Sequence, residues 1–340
     1  MIAALIAVLS ATFVLSAVVV GLVRRYALEK KMLDIPNQRS SHTLPTPRGG
    51  GVAIAVSFIA ALCALFFCGL LDAVVTSALA VAGSLIAIIG YVDDWRRLSA
   101  TTRLATHLIA AVFAVLLLGG FPRQELAMWG MGQSVVASAF SVLAIAWCTN
   151  LFNFMDGIDG IAASETIFVA AAGAGLNWLD GGDPGMSAAM LCLAAASLGF
   201  LMWNWPPARI FMGDVGSGFL GFMVMVLAMA TSQRGNVPIE VWPILGGVFF
   251  VDATTTLIRR VLRGDRWSEP HRMHAYQHLS RRFGSHKRVT LGVTALNVCW
   301  LLPWACVANH FHNAARISVG CALLPLVLLA LVSHSGSREQ

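Results

Sequence analysis

Long apolar stretches recur along almost the whole chain, and they limit its fold more than any other feature. A helix that crosses about 30 Å of hydrocarbon needs roughly 17–25 mostly apolar residues. Inside lipid, such a helix satisfies its own backbone hydrogen bonds. The sequence therefore predicts an all-α polytopic membrane helical bundle of about eleven spans, near residues 2–23, 49–71, 73–92, 104–120, 134–150, 160–179, 187–203, 217–231, 238–257, 290–309 and 315–333.

The scarcity of charge supports this interpretation. Only 12% of the residues are charged and 57% are hydrophobic, with a mean hydropathy of +0.74. A soluble domain carries about 25% charged residues, so this chain has too few to cover a water-exposed surface. These values exclude a soluble enzyme and a disordered or collagen-like chain. We expect one integral-membrane domain over residues 1–340.

The distribution of Lys and Arg predicts the orientation. If the loop at 24–48 is cytoplasmic, alternate connections contain 20 of the 23 basic residues, as the positive-inside rule requires. We expect the N-terminus outside, the C-terminus in the cytoplasm and a first span that is retained. Ten spans remain an alternative, since only Leu71-Asp72 separates two windows. The net charge of +6 belongs to these loops, so no nucleic-acid partner is expected.

Polar residues cluster on the predicted cytoplasmic face, whereas the predicted outer loops hold only scattered acids. Ionisable groups near a bilayer are costly and indicate function by default. The sequence thus predicts a site built from loops at about 24–48, 93–103, 150–160, 204–217 and 259–289. The clusters are Asp34/Arg39/His42/Arg48, Asp93-Asp94, Asn150/Asn153/Asp156/Asp159, Asp214 and the stretch from His271 to His278.

The segment from Asn150 to Asp159 has a polar residue at every third position, and Gly157 and Gly160 indicate that a helix breaks there. One or two carboxylates, with phosphates, are the usual ligands of Mg²⁺. A solvated loop is the alternative. Asp214 lies in a glycine-rich turn whose amides either cradle a phosphate or begin a helix.

The longest predicted cytoplasmic loop contains nine basic residues between Arg259 and Arg288. It either sets topology and attracts anionic lipids or covers a phosphorylated substrate. His271, His274 and His278 would align on a helix. A zinc site is disfavoured because no cysteine or carboxylate completes it.

Five motifs occur in an order that resembles a known family: DIPNQRSSHTLPTPRGGG, YVDDW, NFMDGIDGIA, FMGDVGS and the histidine-bearing loop, over residues 34 to about 279. The chain is similar to the polyprenyl-phosphate N-acetylhexosamine-1-phosphate transferases of glycosyltransferase family 4. This family includes the initiating enzymes of enterobacterial common antigen, teichoic acid and O-antigen synthesis and, more distantly, phospho-MurNAc-pentapeptide translocase.

The resemblance implies transfer of a sugar 1-phosphate from a UDP-N-acetylhexosamine to undecaprenyl phosphate, with release of UMP and with Mg²⁺ or Mn²⁺ as cofactor. It implies metal ligands at Asn153 and Asp214 and catalytic roles for Asp93, Asp94 and Asp156. Asp159 would read the uracil edge, and Arg39, His42 and Arg48 would lie near the phosphates. It further implies substrate-binding roles for Asp252, His271, His274, Tyr276 and Gln277.

The sequence departs from the family pattern in two places, and the first of them bears on the sugar. The loop reads HRMHAYQHL, so Tyr276 and Gln277 replace two histidines, and Arg103 and His107 stand where many relatives carry Lys and Gln. The HAYQ form is similar to the branch that begins O-antigen (lipopolysaccharide) or related surface polysaccharides with a 6-deoxy sugar such as FucNAc or QuiNAc. GlcNAc stays open, and a peptide-bearing MurNAc substrate is not expected.

A secondary transporter for an anionic solute is the alternative function, supported by His107, Glu165 and Asp252 within predicted spans. A transporter should show an internal repeat and midplane polar groups, and the sequence shows neither. A CDP-alcohol phosphatidyltransferase lacks its required downstream acids here. Membrane lipids are expected partners, and the sequence leaves a homodimer open.

Overall fold

The computed structural model describes residues 2–36, 44–122, 126, 134–234, 237–266 and 271–337. Most of them are helical. A two-residue antiparallel ribbon pairs Leu33 with Pro47 and Asp34 with Thr46. The helices are α1 (Ile2–Glu29), α2 (Gly51–Phe67), α3 (Ala73–Arg96), α4 (Ala100–Leu118), α5 (Val135–Met155), α6 (Ile161–Leu179), α7 (Pro184–Asn204), α8 (Asp214–Gln233), α9 (Val241–Leu245), α10 (Gly247–Leu262), α11 (Ala275–Phe283), α12 (His286–Leu296), α13 (Leu302–His310) and α14 (Ala315–Val332).

The predicted all-α membrane bundle is confirmed. Within the described residues, eight helical segments are long and apolar enough to cross a bilayer. The remaining three predicted windows are also helical and correspond to α2, α6 and the α9–α10 pair. The protein is therefore a multi-pass membrane protein, while eleven crossings and the N-out orientation stay predictions. The eight segments are α1, α3, α4, α5, α7, α8, α14 with the short turn before it, and α12 continued through the π-helical turn Asn297–Leu301 into α13.

Helix α8 is the centre of the bundle. Of its most apolar 18-residue window, 94% is buried inside the protein, against 11% for α1. Helices α3 and α5 both pack along it. Since α8 begins at Asp214, the most enclosed helix of the fold carries a predicted site residue at its first position.

A glycine allows α3 and α8 to approach closely at this end. A Cβ atom on Gly90 would lie 2.7 Å from the Asp214 carbonyl oxygen and 2.5 Å from the Val215 Cα atom. Both distances are shorter than van der Waals contact, so no larger residue fits without moving a helix. Close packing at Gly90 therefore brings the last turn of α3, with Asp93 and Asp94, against the first turn of α8.

The opposite end of the bundle is held by polar pairs between loops. Arg234, after α8, forms ion pairs with Asp72 and with Asp183, the latter at 3.3 Å. Asn309 donates a hydrogen bond to Asp180 at 2.7 Å. The sequence-based description of the outer acids as scattered is wrong, because long-range packing brings distant loops together there.

We predict that Gly90→Ala destabilises the protein by about 1–3 kcal/mol, since an added methyl group forces α3 from α8. Gly175→Ala is the matched control: it is also helical, but a Cβ atom there meets nothing within 4 Å. Thermal unfolding in detergent measures both. Equal midpoints for the two variants would contradict the close approach.

Candidate active site

The predicted site residues converge at one end of the bundle. Helices α3, α5 and α10 end there, and α4, α6 and α8 begin there. Contacts between Arg48 and Asp94, Asn153 and Asp214, and Asp159 and His286 join loops far apart in sequence. Among the described residues, the predicted site residues thus lie close together at this end of the bundle. Arg39 and His42 lie outside the described residues.

The neighbouring carboxylates Asp93 and Asp94 have different partners. Asp94 accepts hydrogen bonds from the backbone N–H groups of Asp214 at 3.0 Å and Val215 at 3.4 Å. Its Oδ1 atom also contacts Arg48 Nη2 at 2.5 Å, and its side chain is 1% exposed. A carboxylate at a helix N-terminus satisfies free amides and is favoured by the helix dipole. Asp94 thus joins the loop after the ribbon to the start of α8.

These contacts also correct one expectation. The sequence predicts that the glycine-rich turn before α8 either cradles a phosphate or begins a helix, and in the structure the Asp94 carboxylate occupies the amides of Asp214 and Val215. The phosphate cradle is wrong for these two amides, because the nearest anion is part of the protein. The alternative, a helix start, is correct.

Asp93 holds a guanidinium group in place. Its Oδ2 atom accepts a hydrogen bond from Arg103 Nη1 at 2.7 Å, and its Oδ1 atom accepts one from the Leu98 N–H at 2.6 Å. The same Arg103 atom lies 3.8 Å from Asp214 Oδ2. Sequence reasoning noted Arg103 only as a departure from the family pattern. Its position in the first turn of the helix after the acidic pair was the sequence feature that could have indicated its place in the site.

Asp214 is also fixed from the side of α5. Asn153 Nδ2 donates to Asp214 Oδ1 at 2.7 Å and to Ser217 Oγ at 3.0 Å. One turn earlier on α5, Asn150 contacts His107 of α4 at 3.3 Å. The predicted alignment along one helix side therefore holds for Asn150 and Asn153 but not for Asp156 and Asp159, because α5 ends at Met155, at the helix break that Gly157 and Gly160 predict.

Asp156 differs from the other acids because no hydrogen bond reaches its carboxylate within the described part of the chain. Burial, and then the negative charges of Asp214, Asp159 and Asp94, raise the pKa of Asp156 well above its ordinary value. Such an arrangement is unfavourable until a proton or a cation neutralises it. The site therefore carries an excess of negative charge beside Asp214.

Asp159 is engaged within the protein. Its Oδ2 atom accepts from the Ala208 N–H at 3.0 Å, and its Oδ1 atom lies 3.2 Å from His286 Nδ1. Its carbonyl oxygen accepts from the Thr290 hydroxyl at 3.0 Å. Asp159 thus ties the turn before α6 to α12. His286 lies in the basic loop at about 259–289 but is not among the predicted site residues.

The histidine-bearing loop begins a helix later than predicted. Helix α11 starts at Ala275, so His274 precedes it and His271 lies outside it. The expected helical alignment of His271, His274 and His278 is wrong. The reason is Asp252 of α10, whose carboxylate accepts from the N–H groups of Ala275 at 2.9 Å and Tyr276 at 3.1 Å and so fixes the helix start there.

The rings of this loop stack at the site. The centroids of His271 and His274 lie 4.9 Å apart, and His274 stacks between Phe154 and Tyr276. Burial, and then the charges of His274 and Arg260, lower the pKa of His271 to about 3. His271 is therefore a neutral imidazole at physiological pH and offers hydrogen bonds rather than positive charge.

Tyr276 and Gln277 brace the turn after α5. The Tyr276 hydroxyl donates to the Phe154 carbonyl oxygen at 3.0 Å. Burial raises the pKa of Tyr276, so this phenol keeps its proton. A Cβ atom on Gly157 would lie 3.0 Å from Gln277 Nε2 and closer still to the Tyr276 hydroxyl. These two residues, which replace histidines of the usual family signature, contact the carboxylate-bearing turn directly.

A cavity of about 850 Å³ lies against these groups. Its polar side contains Arg103, Asn150, Asn153, His271 and His274. Its apolar side is formed by α4, α5 and α10, with the residues Leu104, Leu108, Leu143, Ala146, Trp147, Leu257 and Val261. Leu143 is 61% exposed, so this wall reaches the outside of the bundle where lipid would lie.

The residues around Asp214 fit a hard divalent cation. The carboxylates of Asp93, Asp94, Asp156 and Asp214 outnumber the guanidinium groups that contact them, those of Arg48 and Arg103. No cluster of three or more His, Cys, Asp or Glu side chains suited to holding a metal was found among the described residues. Mg²⁺ usually takes one or two carboxylates and completes its shell with water and substrate phosphates. Oxygen donors and excess negative charge meet that requirement.

Comparison with known proteins identifies the family. Residues 76–232 match the family model described as glycosyl transferase family 4. A probable undecaprenyl-phosphate N-acetylglucosaminyl 1-phosphate transferase of Bacillus subtilis is 30% identical over 280 residues, 81% of this chain and 76% of that protein. The chain belongs to glycosyl transferase family 4, the polyprenyl-phosphate N-acetylhexosamine-1-phosphate transferases.

Two further relatives carry names of the same kind of transferase. A decaprenyl-phosphate N-acetylglucosaminephosphotransferase of Mycobacterium tuberculosis is 32% identical over 80% of this chain and 74% of its own length. An undecaprenyl-phosphate alpha-N-acetylglucosaminyl 1-phosphate transferase of Escherichia coli K12 is 29% identical over 85% of this chain and 80% of its own length. The match with the family model covers the acidic pair, the α5 end and the start of α8.

We predict opposite effects on stability for two Asp→Asn substitutions, measured without divalent cations at neutral pH. Asp94→Asn lowers the unfolding midpoint, because Arg48 and the α8 amides lose a charged partner. Asp156→Asn raises it, because an unbonded charge beside like charges is removed. Thermal unfolding in detergent measures both. A lower midpoint for Asp156→Asn would show that its carboxylate is stabilised in the fold.

Proposed function

We propose that this protein transfers an N-acetylhexosamine 1-phosphate from a UDP-sugar to undecaprenyl phosphate and releases UMP. The observation that carries the proposal is the 850 Å³ cavity, which joins an apolar wall at the lipid boundary to the groups around Asp214. A lipid phosphate and a water-soluble nucleotide can meet there without either leaving its own medium. The names of the relatives pair undecaprenyl or decaprenyl phosphate with the transfer of an N-acetylglucosamine phosphate group.

The site residues fall into two groups, one that would bind the cation and one that would position the phosphates. Asp214 and Asn153 would hold Mg²⁺, or Mn²⁺, with Asp156 beside them. The bound ion would neutralise charge on the diphosphate, as phosphoryl transfer requires. Arg103, held by Asp93 and facing the cavity, is placed to offset the charge of the second anionic substrate. Transfer between phosphates depends mainly on such positioning and neutralisation.

The acidic pair is assigned two separate roles. Asp93 acts through Arg103, which it orients at 2.7 Å. Asp94 acts through the start of α8 and through Arg48, which it contacts at 2.5 Å. We infer that Asp94 positions the start of α8, that Asp93 positions Arg103, and that Asp156 is the acid nearest to the chemistry. Asp159 and Asp252 position the turn before α6 and the histidine-bearing loop, respectively.

The sugar is proposed as an N-acetylhexosamine, for the first step of a lipid-linked cell-surface polysaccharide such as O-antigen. The names of the relatives favour GlcNAc, whereas the HAYQ sequence of the loop favours a 6-deoxy sugar such as FucNAc or QuiNAc. We further propose that the site faces the cytoplasm of a bacterial inner membrane, because the basic loops lie at this end. Clustering of the acids at one end, rather than at the midplane, disfavours the transporter.

The test is UMP release by purified protein in detergent with Mg²⁺, undecaprenyl phosphate and a panel of UDP-N-acetylhexosamines. The panel contains the GlcNAc, FucNAc and QuiNAc donors. Release that requires both lipid and metal, with one preferred sugar, supports the proposal and identifies the donor. No release with any donor, from protein shown to be folded, contradicts it.

We predict that Asp214→Asn lowers UMP release by at least about 100-fold, because the cation loses its carboxylate ligand. The unfolding midpoint should stay near that of the wild type, since the Asn153 hydrogen bond to Oδ1 can persist. Addition of Mg²⁺ should raise the midpoint of the wild type but not that of the variant. Retained turnover in folded Asp214→Asn protein would remove the metal assignment.

We predict a separate effect on the lipid acceptor from Leu143→Asn, at the exposed mouth of the cavity. A polar side chain there weakens apolar contact, so KM for undecaprenyl phosphate should rise about three- to tenfold while KM for the UDP-sugar stays constant. Leu116→Asn is the control, because Leu116 is 75% exposed but does not line the cavity. Equal changes in both variants would place the acceptor elsewhere.

A further inference from the structure

The segment that follows α14, residues 333–337, packs against the base of the histidine-bearing loop. The helix ends at Val332, and a backbone bond from the Ser335 N–H to the Ala330 carbonyl at 2.9 Å turns the chain inward. Ser335 is 0% exposed. We call residues 333–337 the α14 exit segment. Nothing in the sequence motifs pointed to it.

Ser335 is bound on several sides. Its hydroxyl lies 2.6 Å from the Thr256 hydroxyl and donates to Asp252 Oδ1 at 3.0 Å. Its carbonyl oxygen accepts from Arg259 Nη1 at 2.6 Å. A solvated segment would not make these buried hydrogen bonds. The α14 exit segment is therefore packed into the structure that supports the site.

A second bond reaches the histidine-bearing loop itself. The Gly336 N–H donates to the Met273 carbonyl oxygen at 2.6 Å. Gly336 adopts a positive φ of 74°, and a Cβ atom there would lie 3.0 Å from the Cβ atom of Arg259. The α14 exit segment is therefore hydrogen-bonded to the loop at Met273, one residue before His274.

The Asp252 carboxylate connects the α14 exit segment to the part of the loop that lines the cavity. The same carboxylate that receives the Ser335 and Thr256 hydroxyls accepts the N–H groups of Ala275 and Tyr276. Tyr276 in turn binds the Phe154 carbonyl oxygen at the end of α5. A chain of hydrogen bonds thus runs from the α14 exit segment, through one buried carboxylate, to the loop that lines the cavity.

The two hydroxyls matter because the carboxylate is buried. A buried charge is tolerated when several donors satisfy it. The linked Ser335 and Thr256 hydroxyls satisfy Asp252 from the side away from the loop, with one hydroxyl donating to the carboxylate and the other to its partner hydroxyl. If the Ser335 or the Thr256 hydroxyl is removed, the Asp252 carboxylate can shift toward the space that the hydroxyl occupied. The Ala275 and Tyr276 amides, which are bonded to this carboxylate, would move with it. The start of α11 then moves relative to Phe154.

We propose that Ser335, with Thr256, is a positioning residue that sets the histidine-bearing loop for the sugar-nucleotide donor. The inference rests on the proposed function for its kinetic test, since it assigns the loop to the donor. Neither Ser335 nor Thr256 is proposed to contact the reacting phosphates. Arg103, Asn153 and Asp214 lie outside the contacts of the α14 exit segment.

The first test compares Ser335→Ala with Ser333→Ala in the UMP-release assay. Ser333 is two residues away and has no side-chain hydrogen bond among the described residues. We expect KM for the UDP-sugar to rise about tenfold in Ser335→Ala, the size of one hydrogen bond to a charged group. We expect kcat to stay within about twofold of the wild type, and both constants to stay unchanged in Ser333→Ala. A purely structural role would lower the active fraction, and hence kcat, without moving KM.

A second pair keeps the test valid if Ser335→Ala does not fold. Thr256→Val removes the other hydroxyl at nearly constant volume, and Thr254→Val is its control, because the Thr254 hydroxyl makes no hydrogen bond in the described structure. Thr256→Val should reproduce the rise in KM. Because both hydroxyls act on one carboxylate, the effects of Thr256→Val and Ser335→Ala should combine less than additively.

A third measurement does not depend on activity. Hydrogen exchange, followed by mass spectrometry in detergent, should be faster in peptides from residues 271–283 in Ser335→Ala than in Ser333→Ala. Unchanged exchange there, or an unchanged KM in an active enzyme, overturns the inference. Absence of UMP release by the wild type overturns the proposed function instead, and the exchange result then still decides whether the segment holds the loop.

Discussion

The Asp94 carboxylate holds three parts of the site together, and the remaining geometry depends on it. It accepts the first two amides of α8, the most enclosed helix, and it contacts Arg48 from the loop after the ribbon. Because α3 and α8 touch at Gly90, the same contact places Asp93 beside Asp214. An anion supplied by the protein thus takes the helix N-terminus that a substrate phosphate would otherwise occupy, and substrate charge must be met by a cation and by Arg103.

The distribution of bound and unbound carboxylates explains how one cluster can serve both structure and chemistry. Asp94, Asp159 and Asp252 each accept backbone N–H groups, so their charges are used within the fold. Among the described residues Asp156 has no such partner, and Asp214 accepts the Asn153 amide, lies 3.8 Å from Arg103 and contacts the like-charged Asp93. The uncompensated charge is therefore confined to the place where a divalent ion is proposed. Acids that look alike in the sequence differ because their neighbours differ.

The lipid boundary imposes a second condition on the site. An enzyme that joins a polyprenyl phosphate to a soluble nucleotide needs an apolar surface open to lipid beside a polar surface open to water. Helices α4, α5 and α10 supply the first, and the histidine-bearing loop supplies the second. The loop lies between two membrane helices, and its contacts with Asp252 of α10 and Phe154 of α5 fix its position. Asp252 and the α14 exit segment provide that constraint through buried hydrogen bonds.

The sequence by itself determined the bundle, the clustering of polar residues at one end and the family, because apolar run length and motif order are local properties. It also identified Asn153 and Asp214, since the spacing along α5 and the glycine-rich turn before α8 mark them directly. Only the tertiary structure separated Asp93 from Asp94, moved the start of α11 to Ala275, and brought Arg103 and His286 into the site. It alone revealed Ser335, more than 80 residues from Asp252 in sequence. Each of these depends on which distant group meets a carboxylate in a buried place, and a one-dimensional pattern contains no information on such contacts.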